Sequence, residues 1–251
     1  NDRHSDGHRD NFASDSDALS VSAQWSNGWL RLGARGGRDA FNSGSPGPLS
    51  AAQYAANPRQ ANSSTEFSAA QRNHSGLFAE AFLGNWQLLA DANWRDKHYD
   101  SLAFGTPFAY AVDAANTSVR ARHESRFGSL ANVFVIGRDS TRWDRTIVAS
   151  LFTPAGTLAR AHSSAWYLKD DLSWPSSGTR ISMGYRSESL DKSEAQSLSA
   201  LAQREHAWEL GLSQELGAGV TAYARTGRSF RLANVDEFSF TNPAVALRPV
   251  R

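Results

Sequence analysis

Hydrophobic and polar residues alternate along most of this chain, and the alternation is clearest around residue 90. Trp86, Leu88, Ala90, Ala92 and Trp94 occupy every second position, and mainly polar residues stand between them. A period of two predicts a β-strand whose two faces lie in different surroundings. At ~3.3 Å per residue, the two tryptophans lie ~26 Å apart along such a strand. That length allows them to reach towards both borders of a ~25 Å apolar band in a membrane.

Similar strands succeed one another along the sequence and are joined in an alternating rhythm. Short turns are predicted at 26–28, 84–85, 127–129, 175–178 and 215–219. Longer connections are predicted at 36–63, 101–115, 146–160 and 189–203. Tight turns on one side and long loops on the other are typical of transmembrane β-barrels. The sequence therefore predicts an all-β, antiparallel up-and-down meander of about ten strands.

The polar face of these strands carries many charged side chains. Arginine in the dry core of a soluble β-sandwich would be costly, whereas a water-filled lumen tolerates it. We therefore predict a hydrated lumen wall, rather than a catalytic site, from residues Asp91, Arg95, Arg120, Arg122, Glu124, Arg180, Arg186, Glu209 and Arg225.

Composition narrows the classes of function. The formal net charge is +1, so no basic excess indicates a nucleic-acid partner. The chain has no cysteine, which excludes disulfides and thiolate metal sites. No apolar run approaches the ~18 residues of a spanning helix, while the aromatic share of 11% suits interfacial girdles. No signal peptide is visible, and the sequence is expected to be a fragment.

No motif of catalysis stands out. The sequence lacks a nucleophile elbow, a Walker loop and a metal-binding histidine helix. We therefore predict that the protein is not an enzyme and holds no cofactor or metal. The polar segment 1–16 is predicted to be a solvated loop, despite His4 and His8. The run 49–60 within the first long connection is predicted to form a short helix that ends at Asn57-Pro58.

The stretch 220–237 begins as an alternating strand and ends in a charged loop, with the sequence VTAYARTGRSFRLANVDE. It resembles the strand-to-loop signature of TonB-dependent outer-membrane receptors, and Asn242-Pro243 and Leu247-Arg248-Pro249 resemble the next motif of that family. Leu232-Ala233 departs from the family, which often has proline at this place. The segment PGPLSAAQYAANPRQ also resembles a loop of these receptors. The residues that carry the family motif are Arg228, Phe230, Arg231, Asp236 and Glu237.

The resemblance implies that residues 1–251 are part of a barrel of about 22 strands, without its plug domain and C-terminal strands. It also implies a place in the outer membrane of a Gram-negative bacterium, with the lipid bilayer, the plug domain and TonB as partners. Such receptors import scarce ligands, most often ferric siderophores and sometimes cobalamin or glycans. Aromatic residues in or near the predicted long loops are the candidate ligand contacts: Tyr54, Tyr99, Phe104, Phe108 and Tyr110.

Two other functions fit part of the pattern. A porin or an autotransporter translocator would share the rhythm of turns and loops, but not the motif near the C-terminus. A soluble all-β carbohydrate-binding protein would also be rich in strands. However, its dry core would leave the inward arginines unsatisfied.

Overall fold

A computed structural model describes residues 1–151, 155–195 and 199–231, and they form a single antiparallel sheet of 11 strands. Each strand pairs with the next one along the chain, so the predicted up-and-down meander is confirmed. The strands are β1 (Asp2–Ser5), β2 (Ser14–Ser26), β3 (Leu30–Gly44), β4 (Phe67–Leu83), β5 (Trp86–Ala103), β6 (Thr106–Phe127), β7 (Leu130–Ile147), β8 (Thr157–Trp174), β9 (Thr179–Glu194), β10 (Ser199–Gly217) and β11 (Val220–Arg228). The one helix in this part of the chain is α1 (Ala51–Ala56).

The register of the strands carries the alternation across the whole sheet. Trp25, Leu32, Ala79, Ala90 and Val119 are successive cross-strand partners. Directly paired residues of antiparallel strands point to the same side of a sheet. We call this side the apolar face, and the side that bears the intervening residues the polar face.

The predicted short turns are present. Gly84 and Gly128 both have φ of 61°, a left-handed conformation that glycine adopts without steric cost. In the first turn, the side-chain oxygen of Asn27 accepts hydrogen bonds from the amides of Trp29 and Leu30. These turns hold successive strands in register at one end of the sheet.

The prediction of long loops at 101–115 and 189–203 is wrong. β5 and β6 continue to a tight turn at Phe104–Gly105, and β9 and β10 continue to Glu194 and from Ser199. The alternation of apolar and polar residues is lost before these turns, but the backbone ladder continues through both hairpins. β6 has 22 residues, or ~73 Å of extended chain. These hairpins therefore extend far beyond an apolar band of ~25 Å.

The connection after β3 has the helix that the sequence predicts. Ser50 caps α1, and its hydroxyl accepts from the amide of Gln53, whose side chain accepts from the Ser50 amide in return. The helix ends at Asn57, before Pro58. A capping box of this kind satisfies amides that the first helical turn leaves unpaired.

The prediction of a solvated loop at 1–16 is wrong. Residues Asp2–Ser5 form β1 and pair with Ser14–Asp17 of β2. The connection between them holds the long insert, because the Asn11 side-chain amide donates to the carbonyls of Ser45, Ser63 and Glu66. One side chain thus satisfies backbone groups from both ends of the insert.

The sheet has almost no core of its own. The buried hydrophobic residues of the described part are Val112, Ala159, Ala165 and Leu190, and none of its large side chains is fully buried. The sheet is open, since β1 and β11 each have a strand on one side only among the described residues. No helix in this part of the chain is long and apolar enough to cross a membrane.

Candidate functional site on the polar face of the sheet

The polar face brings together the charged residues that the sequence assigns to a lumen wall. The cross-strand pairs connect their positions from β5 to β11 on this one side. Many of them form ion pairs with neighbours on the same face. Arg186 bonds Asp139 at 2.8 Å and Glu188 at 3.1 Å, and Arg225 pairs with Glu209.

One well-enclosed ion pair of the polar face lies near the short turns. Glu80 has a side chain that is 5% exposed, and it accepts hydrogen bonds from Arg31 and from Gln87. Arg31 keeps 43% of its side chain exposed, so the arginine is hydrated while the acid is not. Farther along, Asp171 lies between Lys169 at 3.0 Å and Arg180 at 3.4 Å. Charges on this face are thus largely neutralised by one another.

Glycines and aromatic rings also pair across the strands of the polar face. Gly33 lies directly opposite Phe78, and Gly137 directly opposite Tyr167. A Cβ at Gly137 would overlap the ring of Tyr167, so the ring covers the glycine backbone. Rings in this position shield an otherwise bare stretch of strand.

The apolar face has the opposite character. Large hydrophobic side chains remain exposed along it, including Leu19, Leu77, Leu88 and Ile136. Aromatic residues near its borders contact polar partners: Trp166 lies under the guanidinium of Arg138 at 5.4 Å, and the Tyr185 hydroxyl bonds His206 at 2.8 Å. Aromatic side chains with one apolar and one polar neighbour are typical of a membrane–water interface.

A cavity lies on the polar face, towards the end of the sheet at which the long hairpins project. It encloses about 790 Å³ and is lined by side chains of β2 to β7. In a closed barrel, the polar face would be the inner face and the apolar face the outer face. Cationic residues contribute much of the lining: Arg72, Arg95, Lys97 and Arg145. Asp39 pairs with Arg72 at 2.6 Å. The four cationic residues outnumber the two acids of the lining, Asp17 and Asp39, so the lining has an excess of positive charge.

An aromatic cluster around one lysine forms one wall of this cavity. Tyr99 and Tyr110 are direct cross-strand partners, and their rings stack with centroids 5.0 Å apart. The Lys97 ammonium donates to the Tyr110 hydroxyl at 2.8 Å and lies 5.2 Å from the centre of that ring. Phe108 is 5.9 Å from Tyr110, and Ser68 bonds the Tyr99 hydroxyl at 3.2 Å. We call Lys97, Tyr99, Phe108 and Tyr110 the lysine–tyrosine cluster.

The structure separates the aromatic residues that the sequence proposes as ligand contacts. Tyr99, Phe108 and Tyr110 lie together, and Phe108 and Tyr110 line the cavity. Tyr54 lies on α1 with 64% of its surface exposed, and Phe104 lies at the tip of a hairpin with 81% exposed. Neither of these two lines the cavity.

Sequence reasoning missed Lys97 and Trp143. Both line the cavity, and Trp143 lies on β7 with the guanidinium of Arg145 at 5.5 Å from its ring. The signal is present in the run Arg95, Lys97, Tyr99, which continues the polar face of β5 in period two. The predicted loop at 101–115 hides it, because a loop so close by gives these positions no fixed face.

The motif residues lie at the other edge of the sheet. Arg228 is the last residue of β11 and pairs with Glu205 at 3.2 Å. Phe230 is partly exposed and Arg231 is exposed. Asp236 and Glu237 lie outside the described residues. The described part holds no cluster of histidine, aspartate or glutamate that could bind a metal ion.

Solved structures with the same fold include a transporter and receptors of ferric or siderophore ligands. The ferric citrate transporter FecA matches 88% of this chain and 37% of its own length, with 16% identity and a TM-score of 0.74. The ferric preacinetobactin receptor BauA of Acinetobacter baumannii matches 89% of this chain and 41% of its own, with 11% identity and a TM-score of 0.70. The alcaligin outer-membrane receptor FauA of Bordetella pertussis matches 88% and 36%, with 13% identity and a TM-score of 0.74.

The chain therefore has the fold of part of a siderophore-receptor barrel and spans less than half the length of these proteins. This confirms, for the fold, the resemblance to TonB-dependent receptors that residues 220–237 indicate. No family model matches the sequence, and no curated protein matches it.

Proposed function

We propose that this chain is part of the barrel wall of a TonB-dependent outer-membrane receptor that imports a ferric siderophore. The receptor is not an enzyme, since its task is to bind the iron complex outside and pass it through the lumen. The proposal is carried by one observation above others. A cationic cavity, lined in part by Phe108 and Tyr110, lies on the polar face of a sheet whose other face is apolar.

The apolar outer face supports a place in the outer membrane. Exposed leucines and tryptophans would be a liability in water, whereas lipid solvates them. Lipid cannot solvate unpaired backbone groups, so a spanning sheet has to close into a barrel. The other strands of such a barrel would pair with β1 and β11, the open edges of the described sheet.

The lysine–tyrosine cluster supports the class of ligand. Ferric complexes with catecholate or carboxylate donors carry net negative charge, which a cluster of Lys97 and nearby arginines would attract. The stacked rings of Tyr99 and Tyr110 add flat surfaces for an aromatic chelator, and Tyr110 adds a hydroxyl. Cobalamin and glycans would draw less on the positive charge, so we favour the ferric siderophore.

The ion pairs of the inner wall support a second partner within the same protein. A plug domain in the lumen would face Arg31, Arg120, Arg186 and the other charged residues of the polar face. In this proposal, the TonB contact lies in a region before the barrel. Import then draws on the proton-motive force of the inner membrane through TonB.

Ligand binding can be measured by tryptophan fluorescence on the full-length receptor in detergent. Trp143 lines the cavity, so a bound ferric complex is expected to quench it. We would titrate ferric enterobactin, ferrichrome and ferric citrate as probes of three chelate classes. At least one should bind, and Lys97→Ala should weaken that binding about tenfold, the effect of ~1.4 kcal/mol.

Lys169→Ala is the matched control, because Lys169 is an inner-wall lysine that pairs with Asp171, away from the cavity. It should leave the affinity unchanged. Equal losses for both variants would place the ligand elsewhere on the wall. Uptake of radiolabelled iron that persists without TonB would instead favour the porin alternative.

A further inference from the structure

The outer face of the sheet changes character above the aromatic border, on the side of the long hairpins. On β7 to β10 the next outward positions carry cations and hydroxyls instead of leucines. We call this group the outward basic patch: Arg138, Ser140, Arg142, Arg160, His162, Ser164, Ser189 and Arg204.

The strand register fixes how this patch is built. Ser140, Ser164, Ser189 and Arg204 are successive cross-strand partners, so a row of hydroxyls ends in an arginine. Directly below this row lies the pair of Arg138 and Trp166. Directly above it, Arg142 pairs with His162. The hydroxyl row is thus bordered by guanidinium groups above, below and at one end.

The patch keeps an excess of positive charge after its own ion pairs are considered. Asp144 is shared between Arg142 at 2.8 Å and Arg160 at 3.4 Å, and Asp191 lies opposite His162. Arg138 contacts the Ser164 hydroxyl at 3.4 Å and the ring of Trp166, but no carboxylate among the described residues. Arg204 is exposed and forms no ion pair with any residue that the structure describes.

The other half of the same outer face has the opposite sign. Above the apolar band, β2 to β6 carry Asp15, Asp17, Asp96, Asp100 and Asp113 outward. Arg38 is the counterpart of the patch arginines there, and it donates to Gln71 at 3.1 Å. The basic patch is therefore a local feature of β7 to β10, rather than a general property of the outward surface.

We infer that the outward basic patch binds the phosphate groups of an anionic glycolipid in the outer leaflet of the membrane. This rests on the proposed function, because only a membrane places lipid against this face. The patch begins at the height of Trp166, where acyl chains give way to headgroups. Guanidinium groups and hydroxyls are the side chains that bind phosphate oxygens most directly. Below the patch, Ile136, Leu168 and Leu210 offer an apolar surface to the acyl chains.

Native mass spectrometry of the full-length receptor can test the inference, with diphosphoryl lipid A as the probe. The wild-type receptor should retain the lipid after delipidation and titration. Arg204→Gln together with Arg142→Gln should lower the affinity at least about tenfold, because each arginine near a lipid surface contributes ~1 kcal/mol. Arg38→Gln, on the acidic half of the same face, should change nothing.

Further measurements distinguish lipid A from free phosphate as the ligand. They also distinguish a failure of this inference from a failure of the proposed function. Inorganic phosphate should not displace lipid A at millimolar concentration, and displacement would show a simple anion site instead. Unchanged lipid retention in the double variant would overturn the inference. The double variant should still quench with the ferric complexes and unfold at the wild-type temperature. A loss of siderophore binding in the wild type would concern the proposed function, and not this patch.

Discussion

The two faces of β5 between Trp86 and Trp94 differ sharply in character. Ala90 and Asp91 are adjacent in sequence, yet Ala90 points to the apolar face and Asp91 to the charged one. A soluble protein usually buries its leucines and exposes its acids. Here the leucines of the apolar face are exposed, and the acids of the polar face are partly enclosed. The difference fits the proposed wall between lipid and a water-filled lumen, and does not fit the shell of a packed core.

The two faces are also stabilised differently. On the inner face, residues satisfy one another, as Glu80 does with Arg31 and Gln87. On the outer face, Leu88 and Trp94 remain 40% and 45% exposed, so the chain itself covers them only in part. In the proposed receptor, lipid would surround these side chains and stabilise them. Substitutions that exchange the two kinds of side chain therefore test the comparison directly.

The largest effect is expected from a charge placed on the outer face. Ala90 lies midway between the two tryptophans, so Ala90→Arg should cost about 2–4 kcal/mol of folding free energy in bilayers. Leu89→Arg is the matched control, because Leu89 is the preceding residue and points to the inner face opposite Glu80. Its cost should be far smaller. Urea unfolding in lipid vesicles measures the cost of both substitutions. Equal costs would contradict the proposal that the sheet separates lipid from water.

Removal of an enclosed inner charge should come next. Glu80→Ala takes away an acid that accepts from Arg31 and Gln87, so we expect a loss of about 1.5–3 kcal/mol. Asp39→Ala removes the partner of Arg72 in an ion pair that is 37–50% exposed, and should cost at most about 1 kcal/mol. The same unfolding assay compares them. A larger loss for Asp39→Ala would show that burial does not rank these pairs.

A smaller loss of folding stability is expected from a substitution at Gly137, which lies against the ring of Tyr167. Gly137→Ala would place a methyl group within the space of the Tyr167 ring, so the ring must move. We expect a loss of about 1–2 kcal/mol from this overpacking. In the Tyr167→Ala background the same change should be neutral or stabilising, because the obstacle is gone. A double-mutant cycle without coupling would show that the ring does not cover the glycine.

The smallest effect concerns β1, where His4 bonds Asp15 and Asp6 at the outward end of the sheet. Hydrogen bonds to these carboxylates raise the pKa of His4 above its usual value of 6.5. The protonated pair therefore supports β1 fully below pH 6.5, and the support is lost as pH rises through the folded pKa. Amide protection factors of β1 should fall across that range, and His4→Gln should abolish the pH dependence.

Period two in the sequence is sufficient to predict which residues share a face. Asp91, Arg122, Arg186 and Arg225 lie on one side because the alternation persists through every strand. The period-two pattern cannot show where a strand ends once both of its faces contact water. Residues 101–115 lack the alternation of apolar and polar residues and contain Pro107, so they resemble a loop in sequence, although the backbone ladder continues through them.

The candidate site depends on the continuation of β5 and β6 through residues 101–115. Tyr99 and Tyr110 can be singled out as loop aromatics, but their stacking and the position of Lys97 result only from the register of β5 and β6. The family motif has the reverse character. It indicates the fold, while Asp236 and Glu237 lie beyond the described residues, so their role stays a prediction.

The most direct test of the two-solvent wall is a nitroxide scan along β5 in the full-length receptor in bilayers. This chain has no cysteine, so single cysteines at positions 86–95 can be labelled one at a time. Collision with oxygen should peak at even positions, which face lipid, and collision with a water-soluble nickel chelate should peak at odd positions. Loss of this alternation, or the opposite phase, would contradict the account.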